Sequence, residues 1–189
     1  STPEHRIFDK TLSKRNHQAN CITGGLAPSL YQERERLATV LLCNILGGPA
    51  SNSILNNVLR EKNGWVYGVE CTYTQFADTG MVAISLGCDK ANVEKCINAV
   101  EKEISKLQAE PLSERKLKAA KKQLLGQLAI SGDNGETQCL SMGKSLLASS
   151  ESVNYGSFSP DRSYVDRGLT VLDQPIYEGC GNDEWSVRI

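Results

Sequence analysis

The spacing of apolar positions changes several times along this chain, and each change marks an element. His17 to Thr23 has the alternation of a short strand, and Gly24-Gly25 is placed to end it. From Leu30 to Leu46, the residues Leu37, Val40, Leu41, Asn44 and Ile45 recur at helical spacing. Gly47-Gly48-Pro49 stops that helix, with a glycine suited to a left-handed cap and a proline just beyond. Ser51 can cap a second, short helix that turns Ile54, Val58 and Leu59 inward and ends at Gly64. Trp65 to Phe76 alternates again, with Val69, Cys71 and Tyr73 on one face and Glu70, Thr72 and Thr74 on the other. Ala77-Asp78-Thr79-Gly80 makes a tight link to a further strand, Met81 to Gly87, which predicts a hairpin.

The second half reads as helices. Over Lys90 to Gln108, the residues Val93, Cys96, Ile97, Val100, Ile104 and Leu107 form one apolar stripe. Pro111-Leu112 breaks the chain and Ser113 is placed as the N-cap of a helix from Glu114 to Ile130, which is expected to bury Leu117, Ala120, Leu124 and Leu128. Ser131 to Gly135 forms a kink or loop, and Glu136 to Leu147 resumes helical spacing. The order strand, helix, helix, strand, strand, helix, helix predicts an α+β fold, a two-layer sandwich in which helices cover one face of a mostly antiparallel sheet. Residues 1–16 read as a lead-in and 17–148 as the domain. Residues 149–189 read as an acidic, irregular tail, with seven acidic residues against three arginines and no lysine.

Composition narrows the function classes. A chain of 189 residues with 40% hydrophobic and 23% charged residues can build one good core. A net charge of −1 gives no electrostatic reason to bind nucleic acid or an anionic membrane. Apolar runs such as Val40 to Cys43 are far too short to span a bilayer. The start, Ser1-Thr2-Pro3-Glu4-His5-Arg6, lacks the basic and apolar regions of a signal peptide; without Met it fits either a start inside a longer polypeptide or removal of an initiator Met. The seven cysteines contain no Cys-x-x-Cys pair, and most fall at apolar helix or strand positions. They read as reduced, buried, structural thiols in an intracellular compartment, the cytoplasm fitting best.

Most candidate chemistry fails on inspection. The two histidines, His5 and His17, have no glutamate at metal-binding spacing, so neither H-E-x-x-H nor H-x-x-E-H occurs and this chain alone is not expected to hold a metal. No nucleophile elbow or phosphate loop is present. The five basic residues between Glu114 and Lys122 lack interleaved aromatics and read as a solvated helix face. Asp133-Asn134-Gly135-Glu136 is explained as a turn with a glutamate at a helix N-terminus. Arg60 and Tyr67 remain. The first ends a helix and the second, seven residues on, enters a strand, so both can offer donors to one carbonyl or anionic oxygen. Each also has an ordinary explanation, a cation at a helix C-terminus and an aromatic in a strand.

The stretch Ile45-Leu46-Gly47-Gly48, Ser51-Asn52-Ser53 and Leu59 through Val69 resembles the C-terminal half-domain of the pitrilysin/insulinase peptidases, the inverzincins, which include mitochondrial processing peptidase. Phe76 to Gly80, Asp89 and Lys121-Lys122-Gln123-Leu124 with Gly126 continue the resemblance, which covers about 17–148. It implies one half of a clam-shell metallopeptidase. In that family one half binds zinc and activates water, and the other supplies an arginine and a tyrosine that reach the substrate. By motif these are Arg60 and Tyr67, so this chain is expected to be the zinc-free half, with substrate-binding and transition-state roles for those residues and no catalytic base or metal of its own. The resemblance implies zinc in the assembled enzyme, a zinc-bearing half in cis or trans, and a peptide substrate added as a strand at a sheet edge. The family otherwise continues after the region of Leu147 with a helix and a closing strand, which the segment from Ser149 does not clearly show. Two other readings stay open: a non-catalytic scaffold or assembly subunit of the same fold, like core subunits of respiratory complexes, and an α+β binding module unrelated to proteolysis.

Overall fold

The computed structural model describes residues 10–12, 17–110 and 112–149. Of the regions marked out in the sequence, the acidic tail from residue 150 and most of the lead-in lie outside the described residues. Two compact units divide at residue 111, and each is treated by itself.

The first unit is built on a three-stranded antiparallel sheet of β1 (Gln18–Ala27), β2 (Val66–Gln75) and β3 (Gly80–Asp89), in the order β1-β3-β2. The alternation in β2 falls as the sequence predicts, with Val69 and Cys71 buried, Tyr73 half-buried, and Glu70, Thr72 and Thr74 exposed. The hairpin between β2 and β3 pairs Gln75 with Gly80, and Phe76 donates its N–H to Thr79 across the turn at 2.8 Å. One difference concerns β1. Gly24-Gly25 was expected to end it, yet the strand continues to Ala27 because β3 offers partners throughout, Ala83 and Val82 opposite the two glycines and Gly80 opposite Ala27. Cross-strand hydrogen bonding outweighs the low strand propensity of glycine here.

Helices cover the inner face. α1 (Glu33–Gly47) lies against β2, followed by a π-helical segment (Asn56–Lys62) and, after β3, by α2 (Val93–Ala109). The core between the layers joins Val69, Val82, Ile84 and Leu86 of the strands to Leu46, Leu55, Leu59 and Val100 of the helical segments. Full burial of each such leucine or isoleucine contributes about 1.5–3 kcal/mol. Gly47 sets the spacing of α1 on β2. A Cβ there would stand 2.7 Å from the backbone N and 2.8 Å from the Cβ of Cys71, so only glycine lets the helix end sit this close.

The short helix differs from the ordinary α-helix expected. It begins at residue 54, directly after Ser53 rather than at Ser51, and winds with the wider π spacing from Asn56. Three of the carbonyls in its last turn are matched: Val58 accepts from the Asn63 side chain at 2.7 Å, Leu59 from Trp65 N–H at 2.9 Å, and Arg60 from Gly64 N–H at 2.9 Å. Gly64 supplies the turn with φ of +62°, the left-handed conformation its place in the sequence suggested.

The second unit contains α3 (Glu114–Gly132) and α4 (Gly135–Ser149), which contact one another. Ser113 does stand at the N-cap of α3, although its side chain makes no capping bond. Leu117, Ala120 and Leu124 are half-buried, whereas Leu128, expected inside, is 55% exposed. Asn134 caps α4, its Oδ1 accepting from the N–H groups of Glu136 at 3.0 Å and Thr137 at 3.2 Å.

Candidate functional site

The junction from the π-helical segment to β2 places both predicted site residues. Arg60 lies in the last turn before Gly64 and is exposed. Among the described residues its side chain enters no ion pair or hydrogen bond. π-helical turns are rare and occur often at functional sites.

Tyr67 is aimed by a different device. If β2 alternated regularly through its whole length, Tyr67 would share the inner face with Val69, Cys71 and Tyr73 and point into the core. Instead the pairing with β3 slips by one residue: Val66 stands opposite Cys88 and Gly68 opposite Gly87, which leaves Tyr67 as the extra residue of a β-bulge. The slip turns Val66 inward, where it is buried, and Tyr67 outward, where it is 58% exposed. The Tyr67 hydroxyl donates to Asp89 Oδ1 at 2.6 Å. That bond, with smaller contributions from desolvation and the Asp89 charge, holds the phenol above its ordinary pKa and so keeps its proton in place.

Arg60 also lines a groove of about 720 Å³. It runs from the outer face of the sheet at Ile22 and Ser85, past Gly68 and Glu70 of β2, to Gly48 and Pro49 beyond α1. Tyr67 adjoins it through Gly68. The Arg60 guanidinium and the Glu70 carboxylate give the groove opposite charges, and β2 borders it as an edge strand of the three-stranded sheet. Asn56 fixes the rim. It is buried, and its Nδ2 donates to Gly48 O at 3.3 Å and to Ser53 Oγ at 2.8 Å, tying the end of α1 to the π-helical segment. Arg60 and Tyr67 are thus both exposed at one junction, but no hydrogen bond joins them.

Other reactive groups are poorly placed for chemistry. Cys21, Cys43, Cys71, Cys88 and Cys96 are free and buried, while Cys139 on α4 is exposed. Burial pushes the thiols of Cys21 to about 11 and Cys96 to about 12, which keeps them protonated and poor nucleophiles. The hydrogen bond between Cys43 and Cys71, reinforced by burial, likewise raises Cys43. His17 is exposed just before β1. Among the described residues no three His, Cys, Asp or Glu side chains are grouped so as to hold a metal ion, so these residues do not fit a zinc site. Nor is any described helix long and apolar enough to cross a membrane.

Sequence reasoning missed two contributors, Asp89 and Asn56. The proximity of Asp89 to Tyr67 follows from the hairpin register and so could have been approached by counting back from the turn, but a regular count places Tyr67 opposite Cys88 and inside. Asn56 carried no signal beyond a polar residue on an otherwise apolar helix face.

Comparison with known proteins shows what this chain is similar to. A family model described as the peptidase M16 inactive domain matches residues 1–124. An uncharacterized zinc protease of Bacillus subtilis, YmxG, is 25% identical over 145 residues, which cover 77% of this chain and 35% of that protein. The chain spans about a third of the length of the curated relatives it matches. Among solved structures, the peptidase M16 inactive domain from Pseudomonas fluorescens superimposes with a TM-score of 0.65 at 18% identity, covering 85% of this chain and 36% of that one. A chain of Complex III2 from Candida albicans superimposes with a TM-score of 0.68 at 19% identity, covering 88% and 40%. At such identities the structures establish a shared α+β fold.

Proposed function

The chain belongs to the family of peptidase M16 inactive domains, and from that premise we propose that it serves as the zinc-free half of a zinc-dependent metallopeptidase, lending substrate-binding and transition-state contacts to peptide-bond hydrolysis. The observation that carries this reading is the joint presentation of Arg60 and Tyr67. Arg60 is exposed on a π-helical turn and Tyr67 is turned outward by a β-bulge, so both donors stand at one junction beside the groove that Arg60 lines.

Zinc, when the enzyme is assembled, is carried by another half in cis or trans and supplies Lewis-acid activation of water. The residues of this chain act on the substrate. Arg60, with five N–H donors and no partner among the described residues, positions a backbone carbonyl or a carboxylate of the peptide. Tyr67 donates its hydroxyl to the carbonyl oxygen at the scissile bond, where negative charge develops. The edge position of β2 beside the groove suits an extended peptide. The five buried free thiols support an intracellular location.

The test is made in the enzyme reconstituted with its zinc-bearing half. Arg60→Ala and Tyr67→Phe should each lower kcat by about 10²–10³, roughly 3–4 kcal/mol, which is the usual cost of deleting one such donor. Zinc content should not change. Full turnover in both variants sinks the proposal and favours a second reading, a non-catalytic assembly subunit, to which the likeness to a chain of Complex III2 lends support.

A further inference from the structure

We propose that Glu70 makes the groove selective for peptides carrying an arginine close to the cleaved bond, its carboxylate receiving the guanidinium on the outer face of the sheet. This inference rests on the reading of the groove as the path of a peptide substrate.

The strand register builds a hollow at this end of the groove. Asn20, Gly87 and Gly68 stand side by side across the three strands, and Ile22, Ser85 and Glu70 form the next row. All six line the groove. In the first row two of the three positions have no side chain. A Cβ at Gly68 would meet nothing within 4 Å, and one at Gly87 would meet only Asn20 Oδ1 at 3.4 Å. The floor is therefore bare backbone, bordered by the amide oxygen of Asn20 on one side and by Ile22, Ser85 and Glu70 along the other.

That hollow matches the two parts of an arginine side chain. The aliphatic stem can lie flat on the glycines and against Ile22, which is 63% exposed. The guanidinium needs acceptors, and a carboxylate fits its planar fork better than any other side chain. Glu70 is exposed and enters no ion pair or hydrogen bond among the described residues. Arg60 lines the same groove and is not paired with it, so the two opposite charges are left for a ligand instead of cancelling. The strands themselves contain no lysine, arginine or histidine; their charged residues are Glu70 and Asp89, both exposed. This face thus favours a cationic side chain and opposes an acidic one. A peptide paired to the free edge of β2 would place alternate side chains on this face, each about 5 Å from its cross-strand neighbour. Glu70 lies three residues along β2 from Tyr67, so the arginine falls roughly two to four residues from the scissile bond.

Two measurements test the assignment. In the enzyme reconstituted with its zinc-bearing half, quenched fluorescent peptides carry arginine, its neutral isostere citrulline, or glutamate at successive positions around the cleaved bond. At one position arginine should exceed citrulline by about ten-fold in kcat/KM, between the worth of an exposed ion pair and that of a charge-assisted hydrogen bond, with the difference in KM. Glu70→Gln should make the two peptides equal, and Glu70→Lys should favour glutamate. In the full chain, a blocked alanine peptide with a central arginine should shift the ¹⁵N–¹H NMR signals of Gly68, Ser85 and Gly87 more than its citrulline counterpart does, and Glu70→Gln should remove that difference. Equal behaviour of the arginine and citrulline peptides with the unmodified protein overturns the proposal, as does an arginine advantage that survives Glu70→Gln. If Arg60→Ala and Tyr67→Phe keep full turnover, the functional reading fails and the NMR comparison alone decides whether Glu70 captures arginine. If those variants are impaired and arginine has no advantage, only the role of Glu70 fails.

Discussion

Replacing Gly47 with alanine adds a single methyl group at the place where α1 meets β2, and its effect can be worked from distances. The new Cβ would lie 2.7 Å from the backbone N of Cys71, 2.8 Å from its Cβ and 3.2 Å from the carbonyl carbon of Glu70. These neighbours belong mainly to the backbone of a strand paired along its length to β3, so they cannot rotate away. Either the end of α1 lifts or β2 bows, and overpacking of this kind costs about 1–3 kcal/mol. Alanine recovers at most about 1 kcal/mol of helix propensity, and less at the last helical residue. The net expectation is a loss of about 1–2 kcal/mol. For a chain of this size that lowers Tm by about 2–8 °C, taking roughly 2–4 °C per kcal/mol. Urea unfolding followed by circular dichroism should show a lower midpoint with an unchanged slope. The same change at Gly126, in the interior of α3 with nothing within 4 Å of its added Cβ, should have the opposite sign. It should slow amide hydrogen exchange along α3, in line with a gain of up to about 1 kcal/mol. A midpoint for Gly47→Ala at or above that of the unmodified chain would refute the close-approach argument, because propensity alone would then decide both sites.

Three further outcomes follow from capping and burial. Asn134→Ala removes the acceptor for the first amides of α4 and should destabilise that helix by about 1 kcal/mol, read as faster hydrogen exchange at Glu136 and Thr137; unchanged exchange would show that the cap is unimportant. Cys21 and Cys96 have thiols raised from the ordinary 9.0 to about 11 and about 12, so the unfolded chain loses those protons first as pH rises. Their contribution to stability is whole below about pH 9 and is lost as pH climbs through the folded-state values, so urea midpoints should fall from about pH 9 upward, and a flat profile there would contradict it. At neutral pH, a thiol reagent should modify Cys139 in the native protein and reach the five buried cysteines only after unfolding.

Local patterning was enough for much of this fold. The faces of β2, the stripe of α2, the hairpin turn and the glycine that closes the π-helical segment all depend on residues within one or two turns of each other, where spacing alone decides which side meets the core. The resemblance to M16-type peptidase halves could be read from the chain as well, since it rests on motif order. Arg60 and Tyr67 were visible as residue types at a helix–strand junction, but their directions were not. Regular alternation counted back from Tyr73 and Val69 would bury Tyr67. Only the slipped pairing of Val66 and Gly68 against Cys88 and Gly87 turns it outward, and that slip is set by hydrogen bonding to a strand about twenty residues away. The same holds for β1, which runs through Gly24-Gly25 because β3 pairs with it, and for the contact of Tyr67 with Asp89. Sequence spacing determined which residues could serve as donors here; cross-strand pairing, which no local pattern encodes, determined where they point.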